Sequence, residues 1–192
     1  MQAKRTLTEQ ARRSQIVAAA IEVIAASGST QASFKAIAEE AGLSSTGLIS
    51  YHFANRQELI EEVGRQILST FGEFVLERTQ GVEEPAEVLH AFVEANIAFL
   101  RNHRSHAAAL VRIKQDVAPA ELARSDQEQL AAVLRLGQTG GVLREFDPHL
   151  VAVFILSIRD GIIRQLDLEP DLDLDAAGRE FAALVDRATR KA

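Results

Sequence analysis

Residues 34–53, FKAIAEEAGLSSTGLISYHF, decide how this chain is read. Ser33 stands where an N-cap hydroxyl opens a helix, and Ile37, Ala38 and Ala41 then share one face. Gly42 supplies a bend, and a second short helix follows over about 45–52. That second helix is too polar and too rich in small residues to be a core element. A pair of short helices joined by a tight glycine-containing turn, the second one exposed, is the unit that lays a helix in the major groove of DNA.

The pattern continues on both sides. Asn55 caps a long helix, with Glu58 three residues on completing a capping box. Its stripe is Ile60, Val63, Ile67, Phe71 and Phe74, and running to Thr79 it spans roughly 36 Å at about 1.5 Å per residue. Upstream, Val17, Ala20, Ile21 and Ile24 give residues 8–28 an apolar face, begun by the Thr8 hydroxyl and stopped by Gly28. Downstream the apolar residues recur three and four apart, which predicts helices over 85–101, 103–117, 119–138, 149–167 and 173–190. No run alternates as a strand does. The expected fold class is all-α, with about nine helices. A three-helix helix–turn–helix domain takes residues 1–54, and a helical domain takes 55–192.

Composition agrees with a folded chain. Of 192 residues 47% are hydrophobic and 25% charged, with only four prolines, so a sizeable core is available and disorder is not expected. There is no cysteine, which removes disulfides and thiolate chemistry. No stretch of about 18 residues lacks charge, and the basic N-terminus has no apolar run behind it, so a cytoplasmic location and no membrane partner are expected. The net charge of −6 divides unevenly. Residues 1–60 carry six Lys or Arg against five Asp or Glu, and residues 61–192 carry fifteen against twenty-two. Charge therefore permits DNA binding by the first part without arguing for it.

Taken together, Ser33, Ile37, Ala38, Ala41, Gly42, Gly47, Tyr51-His52-Phe53 and Asn55-Arg56-Gln57-Glu58-Leu59 resemble the head of a TetR-family transcriptional regulator. Two departures stand out. The four residues between Gly42 and Gly47 are one more than is common in that family, and Ser50 stands where a tyrosine often reaches a DNA phosphate. The resemblance implies a homodimer on a palindromic operator, most simply a repressor. It also implies that residues 55–192 bind a small, largely apolar effector, which shifts the long helix and releases double-stranded DNA. The helix over 149–167, apolar nearly all round, is either the centre of a bundle or packs inward on one face and against a second subunit on the other, with 173–190 completing the dimer interface.

Within the head, the DNA-binding candidates are Lys35, Ser44, Ser45, Thr46, Gly47, Ser50, Tyr51, His52 and Arg56. Hydroxyls near a helix N-terminus suit phosphate oxygens, Gly47 allows close backbone approach, and Lys35 and Arg56 are expected phosphate clamps. For His52, packing beneath the helix is an equal alternative, and Phe53 is expected in the core. Few bidentate base readers sit here, so DNA shape and an N-terminal arm with Lys4 and Arg5 are expected to add specificity.

In the body, polar groups on apolar stripes are the effector candidates: Asn96, His106, Gln115, Ser157 and Arg159, with Phe92 and Phe99 as walls. His103 and His106 have no third ligand nearby, so neither a metal nor a cofactor is expected. A nucleophile elbow, a phosphate loop and metal-ligand spacing are all missing, and the chain is not expected to be an enzyme. A helical protein–protein module that has lost DNA binding is the remaining alternative.

Overall fold

A computed structural model describes residues 7–113 and 120–191, with the backbone alone over 120–125. Among these residues the chain forms nine α-helices and no strand: α1 (Leu7–Ser27), α2 (Phe34–Glu40), α3 (Gly47–His52), α4 (Arg56–Thr79), α5 (Pro85–Asn102), α6 (Arg104–Ile113), α7 (Ala120–Thr139), α8 (Pro148–Leu168) and α9 (Leu174–Thr189). The all-α expectation and the long fourth helix are both realised. No described helix is long and apolar enough to cross a membrane.

The chain divides into two compact units. The first runs up to Ser69 and resumes from Ser105, so it holds α1 to α3, most of α4, and α6. Its core joins Ile16, Ala20, Ile21 and Ile24 of α1 to Ile37, Ile49, Phe53, Leu59, Ile60, Val63 and Ile67, with Ala109 and Ile113 supplied by α6. Polar contacts tie α6 to α1: the Ser105 hydroxyl meets Glu22 at 2.8 Å, and Arg112 donates to the Ala25 carbonyl at 2.5 Å. Carbonyls in the last turn of a helix have no partner within it, so Arg112 closes the end of α1.

The second unit holds the last turns of α4 from Thr70, then α5, α7, α8 and α9. Here α7 packs on α8, and α5 packs on both α9 and α7. Phe99, Leu100, Leu134, Ile155 and Phe181 are among its buried side chains. Gly178 lets α9 come close to α5, since a Cβ there would lie 3.1 Å from the Ile97 side chain.

The helix ends follow the capping chemistry of the sequence. Ser33 accepts from the Ala36 amide at 3.2 Å. At the far end of α2, Gly42 takes φ +64°, the Leu43 amide reaches the Ala38 carbonyl and the Gly42 amide reaches that of Glu39. This is the paired closure that a left-handed residue makes possible. The Asn55 side chain accepts from the Glu58 amide at 2.9 Å, while Glu58 accepts from the Ala54 amide at 2.8 Å, one residue before the usual partner of a capping box. Asp147 and Asp173 cap α8 and α9 in the same way. At α9 the Ala176 amide, helped by the Asp175 amide and Arg179, holds the Asp173 carboxyl below its ordinary value of 3.8.

Two outcomes follow for stability. Asn55→Ala should cost about 1 kcal/mol, the worth of an N-cap, seen as a fall of roughly 2–4 °C in the melting temperature of a chain this size. For Asp173→Ala, a carboxyl with a lowered folded pKa stabilises fully above its unfolded value and loses that effect as pH falls through the folded one. The melting difference from the unsubstituted chain should therefore be present at neutral pH and shrink below the ordinary carboxylate range.

Candidate nucleic-acid interface and effector pocket

The short helix α3 exists because its neighbours hold it. Six residues cannot sustain a helix alone. Ile49 and Phe53 are fully buried in the first unit and each contributes about 1.5–3 kcal/mol of apolar burial. The opposite side of α3 stays in solvent. Lys35, Ser44, Ser45, Thr46, Gly47, Ser50 and Tyr51 are all exposed, as expected of residues that face a ligand. Thr46 takes the N-cap position without a side-chain bond, so α3 begins at Gly47 and not near residue 45. Ser50 turns its hydroxyl back to the Thr46 carbonyl at 3.4 Å, and the Tyr51 hydroxyl donates to Glu9 of α1 at 3.2 Å. Lys35 lies 3.9 Å from Glu39 at the surface.

The remaining two head candidates lie beneath this face. The His52 ring is buried and meets the Tyr51 ring edge to face at 5.1 Å. Arg56 is half-buried, and its guanidinium donates to the main-chain carbonyls of Ser29 and Ala32, in the connection between α1 and α2. Both side chains shape the head from inside. Lys4 and Arg5, the expected arm, lie outside the described residues.

Arg13 organises the site more than any candidate named from the sequence. Its side chain is 14% exposed. One nitrogen donates to the His52 carbonyl at the end of α3 at 2.7 Å, and another donates to Glu62 at 3.0 Å, with Glu58 at 3.7 Å. The guanidinium also lies 4.1 Å over the Phe53 ring. One cation of α1 thus fastens the C-terminus of α3, where the helix dipole is negative, to the first turns of α4. The signal was present: Arg13 precedes Ile16 by three residues, on the stripe that α1 buries. Leu48 was also missed. It is 38% exposed beside the fully buried Ile49, and of two adjacent apolar residues the sequence does not say which faces out.

In the second unit, Phe71, Phe74, Phe99 and His103 form one aromatic cluster. Phe99 meets Phe71 edge to face at 5.1 Å and stacks on His103 at 4.6 Å. Beside Phe71, a cavity of about 160 Å³ is lined by Val75, Leu89, Leu130 and Val133, with Phe92, Asp126 and Gln129 also on its wall. Arg159 bonds Asp126 at 3.3 Å and Asp160 at 3.1 Å, and lies 5.4 Å from the Phe71 ring. Asn96, only 1% exposed, donates to the Phe92 carbonyl at 2.7 Å, and its side-chain oxygen has no partner among the described residues. An unsatisfied buried acceptor is uncommon enough to require a reason.

The fold therefore brings Phe92, Phe99, Asn96 and Arg159 into one neighbourhood. Ser157 is exposed and spends its hydroxyl on the Val153 carbonyl at 2.7 Å. His106 belongs to α6 in the first unit, and Gln115 lies outside the described residues.

Comparison with known proteins matches residues 16–63 to the model of bacterial regulatory proteins, tetR family. The HTH-type transcriptional regulator BetI 1 of Chromohalobacter salexigens is 40% identical over 86 residues, which are 44% of this chain and 42% of that protein. The match thus spans less than half the length of that relative. A putative transcriptional regulator from Saccharomonospora viridis, solved in complex with choline, superposes with a TM-score of 0.85 at 19% identity, covering 95% of this chain and 100% of that one. The regulator FadR of Bacillus subtilis, in complex with stearoyl-CoA, gives 0.78 at 22% identity over 90% and 96%. At these identities the structures establish a shared fold.

Arg13→Ala should destabilise the chain by about 2 kcal/mol, the scale of charge-assisted bonds lost from a largely buried group. Arg12→Ala, whose guanidinium meets Gln15 at the surface, should stay within about 0.5 kcal/mol. Denaturant titration of both variants checks the contrast.

Proposed function

This chain belongs to the TetR family of bacterial regulatory proteins, and on that premise we propose that it is a repressor, binding a palindromic operator as a homodimer and released by a small effector. The observation that carries the reading is α3 itself, a six-residue helix anchored from below by Ile49 and Phe53, with its polar face in solvent. Lys35, Ser44, Ser45, Thr46, Gly47, Ser50 and Tyr51 meet the DNA; His52 and Arg56 support them from beneath. Residues 1–54 read DNA and residues 55–192 sense and dimerise, the change of role falling at the Asn55 cap. Leu150, Val153 and Phe154 of α8 and Leu184 of α9 are exposed apolar side chains, which favours a second copy of the chain on these two helices.

A small, largely apolar effector suits the cavity beside Phe71, which lies below the ~300–1,000 Å³ typical of drug-sized ligands and whose wall is mainly aliphatic and aromatic. One observation favours a narrower reading, a small organic cation. Phe71 and Phe92 share that cavity wall, where Asp126 is paired with Arg159, and cations bind aromatic faces. The Saccharomonospora viridis neighbour's complex with choline points the same way. FadR's complex with stearoyl-CoA is the contrasting case, an acyl ligand far larger than a cavity of about 160 Å³. In either case, effector lowers DNA affinity by the factor by which DNA lowers effector affinity, and about 1–3 kcal/mol of coupling gives roughly 5–150-fold release. Helix α4, continuous from the head into the second unit, is the element such coupling would use.

The test selects duplexes from a random library with the full chain, then titrates the selected duplex against salt, choline and stearoyl-CoA. Salt-dependent binding of a palindrome, weakened several-fold by choline and not by stearoyl-CoA, is expected. Absence of salt-dependent binding would overturn the regulator reading. Unchanged DNA affinity with a ligand demonstrably bound would overturn the release mechanism alone.

A further inference from the structure

We propose that Leu48, with the ring of Tyr51 beside it, determines operator specificity by packing on thymine methyl groups. The inference rests on the regulator reading above and goes beyond it in naming what α3 reads. Helix α3, GLISYH, contains no Arg, Lys, Asn or Gln, so it carries none of the side chains that read bases through paired hydrogen bonds. Its polar groups are already occupied in part. The Ser50 hydroxyl points to its own helix, the Tyr51 hydroxyl is held by Glu9, and the His52 ring is buried. Beside the hydroxyls of Ser44, Ser45 and Thr46, the exposed face offers apolar surface: Leu48 at 38% and Tyr51 at 71% exposure, three residues apart and therefore neighbours on the helix surface.

Apolar side chains on a groove-facing helix gain free energy only where DNA offers an apolar partner. In the major groove that partner is the C5-methyl of thymine. A G·C pair at the same place would set the cytosine amino group or the guanine carbonyl against Leu48 and strip it of water without a replacement bond. Leu48 thus rewards thymine and penalises G·C. The Tyr51–Glu9 bond fixes the aromatic ring that closes the other side of the contact.

The experiment uses the full chain and a duplex it selects from a random library. Each thymine of that duplex is replaced in turn by uracil, which removes the methyl and nothing else. The expected result is one or two positions per half-site at which uracil weakens binding about four-fold, the worth of one buried carbon. Leu48→Ala, which removes the contact from both half-sites, should bind the thymine duplex about sixteen-fold more weakly or worse and no longer respond to uracil at those positions. Because Leu48 is partly exposed, its melting point should stay close to that of the unsubstituted chain. Tolerance of uracil at every position would overturn the proposal, as would a uracil-sensitive position that survives in Leu48→Ala. If no duplex is enriched at all, the regulator reading itself falls and takes this inference with it.

Discussion

Everything the head can do depends on how a six-residue helix is held in place. Isolated helices this short do not form in water, so α3 borrows its stability from two directions. Ile49 and Phe53 enter the core shared with α1, α2, α4 and α6. Arg13 then takes the carbonyl at the end of α3 and ties it to Glu58 and Glu62 on α4. Gln15 does the same for the end of α2, donating to the Ala41 carbonyl at 2.7 Å. Two side chains of α1 therefore set the angle between the two short helices. An apolar core would position them; the directional bonds fix their orientation.

This arrangement explains why charge is a poor guide to the head. Two of its six cations, Arg13 and Arg56, spend their donors inside the protein, on backbone carbonyls and on carboxylates of α4. Arg12 turns to Gln15 and Lys35 lies near Glu39. The head is close to neutral by formal count, and much of its positive charge is structural. On the proposed reading, recognition relies more on the fit of α3 in the groove than on a broad basic surface.

In the second unit the informative atoms are those the fold leaves unsettled. Asn96 is buried among apolar neighbours with one bond made to Phe92 and its oxygen unpaired among the described residues, a cost the folded chain tolerates near the aromatic cluster around Phe99. Arg159 is shared between two carboxylates within reach of Phe71. Polar groups of this kind set among aromatic and aliphatic side chains are the usual furniture of a small-molecule pocket.

The sequence by itself determined what is local. Ser33, Gly42 and Asn55 act through bonds to amides or carbonyls within five residues, so their chemistry was readable before any fold was known, and α4 ends at Thr79 where its stripe predicted. Helices α5, α7, α8 and α9 likewise appear close to their expected bounds, because a 3.6-residue period is a property of consecutive residues, while the expected end of the 103–117 helix lies outside the described residues. Tertiary structure alone decided which of Leu48 and Ile49 faces out, that Arg13 and Arg56 serve the backbone, that α6 joins the core of the head, and that Asn96 keeps an unpaired oxygen. Each of these depends on what a side chain meets from a distant part of the chain. Periodicity says which residues share a face; only packing says what that face touches.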